Sequence, residues 1–131
     1  MKMRIGSISE NKKLEKRIAI TPDIAKRYID LGFEVRLIKN YGLHLGFTDN
    51  LYADFGAKII NDEKDLIDSS DLIIQLNLPD DQKISFFKKN QTLVGIFDPY
   101  KNKARINLLT HKNINVFSLE LLPRISRAQS M

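Results

Sequence analysis

Two stretches of the sequence gather groups able to hold an anion or a planar polar ligand. The first is Glu15-Lys16-Arg17-Ile18-Ala19-Ile20-Thr21-Pro22, where an arginine stands just upstream of a helix start. A guanidinium presents a rigid fork of donors that matches a carboxylate or phosphate. If the stretch follows a strand of a doubly wound sheet, Arg17 lies where such folds bind ligands; the alternative is a surface arginine paired with Glu15 or Asp23. The second stretch is Pro123-Arg124-Ile125-Ser126-Arg127-Ala128-Gln129-Ser130-Met131, with two guanidiniums, two hydroxyls and an amide. Those donors suit a carboxamide or a phosphate, and the same composition also describes a solvated tail.

Other chemistries lack their residues. With no cysteine, a disulfide framework, a thiolate metal site and a cysteine nucleophile are all excluded. The two histidines, His44 and His111, have no neighbouring ligand spacing, so no metal site is expected. His111 falls at a helix end and His44 in a loop, where a solvated side chain is the expectation. The glycines at 6, 32, 42, 46, 56 and 95 form neither a G-x-G-x-x-G turn nor a P-loop. Lys plus Arg number 21 against 16 Asp plus Glu, a net charge of +5, which raises a polyanionic partner as a possibility. The basic residues are spread along the chain and not interleaved with aromatics, so no nucleic-acid partner is expected.

These groups need a scaffold, and the hydrophobic pattern supplies one. Strand-type runs at Lys2–Ser7, Phe33–Ile38, Ala57–Ile60, Leu72–Leu76, Thr92–Phe97 and Ile114–Leu119 alternate with helix-type segments. Thr21-Pro22-Asp23 reads as a helix start, with a hydroxyl cap, a proline where no N–H is needed and an acid at the positive dipole end. That helix runs to Leu31 with Ile24, Ala25, Tyr28, Ile29 and Leu31 as its apolar stripe, and stops at Gly32. Shorter helices are expected from Thr48 to Phe55, Glu63 to Ile67, Asp80 to Phe87 and Lys103 to His111, the last with Ile106, Leu109 and Leu108 inward. Strands separated by helix-sized segments imply crossover connections, hence an α/β fold with a doubly wound, mostly parallel sheet flanked by helices. At 131 residues one domain is expected. No apolar run approaches the roughly 18 to 20 residues that span a bilayer, and the expectation is a soluble, cytoplasmic chain.

With these elements in place, the pairing of E-K-R-I-A-I-T-P after a first strand with P-R-I-S-R-A-Q-S-M near the far end resembles the alanine dehydrogenase/pyridine nucleotide transhydrogenase superfamily. The resemblance covers the whole chain. The first motif is common to both branches, and the second is specific to the alpha subunit of proton-translocating NAD(P) transhydrogenase. Alanine dehydrogenases carry a substrate-binding lysine at the place of Asn77 and a catalytic histidine at the place of Asp98. Arg17 matches their carboxylate-binding arginine, but with the other two missing amino-acid oxidation is disfavoured. Gln75 departs from the lysine frequent in both branches.

The resemblance implies a Rossmann-like, flavodoxin-like N-terminal domain in a subunit that binds NAD(H). It implies hydride transfer to or from NADP(H) on a partner component, coupled to proton movement through a membrane-spanning component. A homodimer of alpha subunits, peripheral to the inner membrane through its partners, belongs to the same picture. By resemblance Arg124 and Gln129 belong to a mobile loop around the nicotinamide, with Gln129 in the catalytic role. Ile125, Ser126, Ser130 and Met131 are nucleotide-contacting neighbours. The aspartate of that loop would follow Met131, and the family's glycine-fingerprint Rossmann domain is not encoded here. Residues 1–131 are therefore expected to be the N-terminal domain of a truncated or partial subunit, without turnover alone. The competing expectations are an alanine-dehydrogenase-like oxidoreductase domain and a non-catalytic module binding an anion through Arg17.

Overall fold

The computed structural model describes residues 3–11, 13, 15–97 and 102–118. Six strands, β1 (Arg4–Ser7), β2 (Glu34–Ile38), β3 (Lys58–Ile60), β4 (Leu72–Ile74), β5 (Thr92–Gly95) and β6 (Asn115–Ser118), form one sheet in the order β3-β2-β1-β4-β5-β6. Every neighbouring pair is parallel. Among the described residues five α-helices alternate with them: α1 (Pro22–Asp30), α2 (Asp49–Asp54), α3 (Glu63–Asp68), α4 (Asp81–Ile84) and α5 (Lys103–His111). This is the doubly wound α/β architecture expected from the sequence. The chain winds outward from β1 to β3, returns through α3 to β4, and winds outward again on the other side. Right-handed crossovers in the two directions put α1 and α4 on opposite faces of the sheet.

The helix starts follow from their side chains. Thr21 accepts a hydrogen bond from the Ile24 N–H, Thr48 from Leu51, Asp62 from Asp65 and Asp80 from Lys83, each quieting one of the unpaired donors of a first turn. The core lies between the sheet and both helical layers, with Ile5, Ile20, Leu37, Leu66, Ile67, Ile73, Leu93 and Leu109 fully buried. A near-continuous apolar centre is what a parallel sheet covered on both faces requires.

Several boundaries differ from the expectation, each for a local reason. Leu31 is the C-cap of α1 and is 73% exposed, so the apolar stripe ends at Ile29. In α5 Leu109 is buried while Leu108 turns outward. The Asp80–Phe87 segment forms only the single turn of α4 before Phe86 and Phe87 fold back onto Lys83 and Ile84 carbonyls. A 3-10 turn at Leu43–Leu45 occupies the loop after β2. Strands β4 and β5 end two residues early in the regular ladder, although Gln75 N–H still reaches the Val94 carbonyl and Ile96 N–H the Leu76 carbonyl.

Two glycines set how closely the layers approach. A Cβ at Gly6 would run into Ser70 Oγ and lie 2.9 Å from Leu66 Cδ2, so glycine lets α3 close down on the centre of the sheet. A Cβ at Gly95 would strike the Gln75 carbonyl oxygen and the Phe97 ring. Among the described residues no helix is long and apolar enough to cross a membrane.

Candidate functional site

In this strand order the chain reverses direction between β1 and β4, and their carboxyl ends splay apart there, leaving a crevice. A cavity of about 590 Å³ opens at that place. Its apolar lining comes from Ile8 after β1, Leu78 after β4, and Ile96 and Phe97 after β5. Its charged lining is Glu10, Glu15, Asp80, Lys83 and Arg105.

The two strand ends are tied by one amide. Gln75 is 2% exposed; its Oε1 accepts the Ile8 N–H at 2.7 Å, and its Nε2 donates to the Ile8 carbonyl at 3.0 Å. A side chain thus takes both backbone groups of Ile8 where the ladder between β1 and β4 has stopped. Nε2 also donates to Glu10 Oε2 at 3.0 Å. The same Glu10 oxygen accepts the Leu76 N–H at 2.7 Å, and Oε1 accepts the Asn77 N–H at 3.1 Å. Burial raises the Glu10 pKa above its ordinary value, and the two backbone donors pull the other way.

Beneath this lies a buried hydroxyl chain. Tyr41 Oη accepts the N–H groups of Ala19 and Ile20, each at 3.1 Å, and sits 2.9 Å from Ser7 Oγ. With two donors already aimed at it, the tyrosine hydroxyl has its proton free for Ser7, which in turn lies 2.6 Å from the Ile74 carbonyl. Burial raises the Tyr41 phenol to about 12, so it remains a neutral donor. Tyr52 in α2 donates to the Ile20 carbonyl at 2.8 Å. The two tyrosines therefore hold the segment before α1, which carries Glu15 and Arg17 at the cavity edge.

Arg17 adopts the second of its two sequence readings. Its Nε and Nη2 lie 2.8 and 2.9 Å from Glu15 Oε2 and Oε1, a bidentate pair, and its backbone N–H adds a third bond at 3.1 Å. Asn77 Nδ2 donates to Glu15 Oε1 at 3.1 Å. The Arg17 guanidinium, foremost among these donors, lowers the Glu15 carboxyl to about 2. The Arg17 side chain is 74% exposed and that of Glu15 only 12%. Lys83 and Arg105 are engaged as well, at 3.3 Å from Glu63 and Asp81.

The structure thus brings Gln75 and Asn77 into the crevice lining, with Arg17 beside it through its pair with Glu15. Asp98, Arg124, Ile125, Ser126, Gln129, Ser130 and Met131 lie outside the described residues. His44 is exposed, as expected, and its Nε2 sits 2.8 Å from the Lys16 carbonyl; no group of three potential metal ligands occurs among the described residues. Sequence reasoning missed Glu10, Ser7 and Tyr41. The available signals were polar residues inside or just beyond strand runs, the Gln75 interruption of Leu72–Leu76 above all.

The family profile "Alanine dehydrogenase/PNT, N-terminal domain" matches residues 6–131. NAD(P) transhydrogenase subunit alpha of Haemophilus influenzae is 35% identical over 129 residues, covering 98% of this chain and 25% of that protein. NAD(P) transhydrogenase subunit alpha of Cereibacter sphaeroides is 31% identical over 129 residues, covering 98% of this chain and 25% of that protein. The crystal structure of transhydrogenase from Sinorhizobium meliloti superposes with a TM-score of 0.86 at 30% identity, over 98% of this chain and 36% of that one. The chain spans about a quarter of the length of the two curated relatives and about a third of the solved structure.

Proposed function

This chain belongs to the alanine dehydrogenase/PNT N-terminal domain family, and we propose that it serves as the N-terminal domain of the alpha subunit of a proton-translocating NAD(P) transhydrogenase. In this reading the subunit binds NAD(H), a separate component binds NADP(H), and a membrane-spanning component moves the proton. A second alpha subunit completes a homodimer on the cytoplasmic side, peripheral to the inner membrane.

The observation that carries the reading is the state of Asn77 and Arg17. An amino-acid oxidoreductase needs free cations for its substrate carboxylate, whereas here the arginine is chelated by Glu15 and the neutral Asn77 supports that chelation. The described crevice fits the ring end of a dinucleotide and not its pyrophosphate. Its lining combines apolar side chains and the amides of Asn11, Gln75, Asn77 and Asn102 with more carboxylates than cations, while residues 8–21, the first strand-to-helix loop, contain no glycine to bring backbone close to phosphates. The phosphate and adenosine contacts are therefore assigned to the larger part of the subunit that the relatives carry.

Bound NADH would supply the hydride. Arg124 and Gln129 would hold the carboxamide end of its ring, with Ile125, Ser126, Ser130 and Met131 as nucleotide-contacting neighbours. Gln129 acts by alignment, so its loss falls on the rate and not on affinity.

The test is single-turnover transfer between the two nucleotides in a complex of this chain with the polypeptides that complete the enzyme. Gln129→Ala should slow transfer by on the order of a hundredfold while the NADH dissociation constant stays within about threefold. An unchanged rate, or a loss matched by lost affinity, removes the alignment role. The chain alone should show no turnover and no micromolar NADH binding.

A further inference from the structure

Donors converge on the crevice from both strand ends, and the chain fills them with its own carboxylates. The Leu76 and Asn77 N–H groups and Gln75 Nε2 point at Glu10. The Arg17 fork, the Arg17 N–H and Asn77 Nδ2 point at Glu15. We propose that Glu15 is an internal anion that sets the ligand class of this cavity: uncharged N–H donors such as carboxamides enter, small carboxylates are excluded, and neutralising Glu15 opens a carboxylate site that depends on Arg17.

Three features of the geometry support this. The first is the high effective concentration of a carboxylate attached two residues from its guanidinium, against which an external anion must compete. Displacement is also costly, because an incoming carboxylate would take four hydrogen bonds from Glu15 and leave it without its counter-charge at 12% side-chain exposure. The third is the surrounding charge. Among the described lining residues Glu10, Glu15 and Asp80 outnumber Lys83 and Arg105, and both cations already face Glu63 and Asp81. A neutral N–H donor meets none of these obstacles. Glu10 Oε1 accepts the Asn77 N–H at 3.1 Å, and a carboxylate oxygen has room for more than one donor. The apolar lining of Ile8, Leu78, Ile96 and Phe97 suits a flat ring beside it.

Benzamide and benzoate form a matched pair of probes that share the ring and differ in charge. Titration of the isotope-labelled chain at constant ionic strength, followed by amide chemical shifts, reads their binding. Benzamide should move the resonances of residues 8–10 and 75–78, and benzoate should leave them still. In Glu15→Gln benzoate affinity should rise at least about tenfold, and Glu15→Gln/Arg17→Gln should lose that gain. Glu15→Ala serves as the second variant, and dispersed spectra of each protein establish folding before titration. Equal binding of both probes to the wild type overturns the proposal, as does absence of benzamide binding or absence of a gain in both Glu15 variants. None of these outcomes bears on Gln129 and hydride transfer, so the two readings fail separately.

Discussion

Replacing Gln75 by leucine keeps the side chain's approximate size and removes every polar contact it makes. The Ile8 N–H then loses an acceptor at 2.7 Å and the Ile8 carbonyl a donor at 3.0 Å, both in a buried place. Ser7 and Glu10 each lose one bond as well, but Ser7 keeps the Ile74 carbonyl and Glu10 keeps the Leu76 and Asn77 N–H groups, so the groups left without a partner are those of Ile8. An orphaned buried backbone group costs about 1–3 kcal/mol, and two of them, partly offset by the added apolar surface, should cost about 3 kcal/mol. Against a total of about 5–15 kcal/mol that is a large fraction. The melting temperature should fall by about 10 °C and the urea midpoint by about 1–2 M. Gln82→Leu, on the exposed side of α4 where the side chain has no described partner, is the control and should change stability by less than about 0.5 kcal/mol. A Gln75→Leu loss below about 1 kcal/mol would refute the claim that this amide closes the gap between β1 and β4.

The two tyrosines should rank by what they leave behind. Tyr52→Phe orphans one carbonyl, that of Ile20, and should cost about 1 kcal/mol, whereas Tyr41→Phe orphans two N–H donors and should cost about 2–3 kcal/mol; the reverse order in urea titrations would contradict the network. The two cavity carboxylates should shape the acid stability curve in opposite senses. Glu15, lowered from near 4.5 to about 2, adds stability that is fully present above pH 4.5 and lost as pH falls through 2. Glu10, raised by burial, adds stability that is present below its ordinary value and lost as pH climbs through its raised one. Urea midpoints from pH 2 to 7 should therefore flatten below pH 4.5 in Glu15→Gln and above it in Glu10→Gln; curves parallel to wild type would exclude these couplings.

Local pattern carried the scaffold because each strand and helix here announces itself within its own residues. Thr21-Pro22-Asp23 specifies the start of α1, and the alternation of short apolar runs with capped helices specifies a parallel doubly wound sheet. The site is a different matter. Arg17 could be placed at the crevice from its position after β1, but its partner stands two residues away in an irregular loop, where no periodicity favours Glu15 over Asp23. Gln75 drew notice only as a departure from lysine, and nothing in the local pattern singles out Glu10. Their roles depend on contacts with residues far along the chain, which spacing within a window cannot register. The Leu31 expectation failed for the converse reason, since the helical period was extended one residue past the last turn that the core covers.

That separation along the chain has a consequence for the order in which the protein assembles itself. The bonds that close the crevice join residues 62 to 68 positions apart, from Asn77–Glu15 to Ser7–Gln75. During synthesis β1, β2 and α1 are all available once Ile38 has been made, yet β1 has no neighbour on its other side until β4 and Gln75 follow about 37 residues later, a delay of about 2–7 s at ordinary elongation rates. Through that interval the future centre of the sheet is an edge, with its N–H and C=O groups open to any passing strand. Glu10 and Glu15, synthesised well before Gln75, Leu76 and Asn77, must wait for them before they bound a cavity, so this crevice takes its working shape later than the strand and helix that precede it.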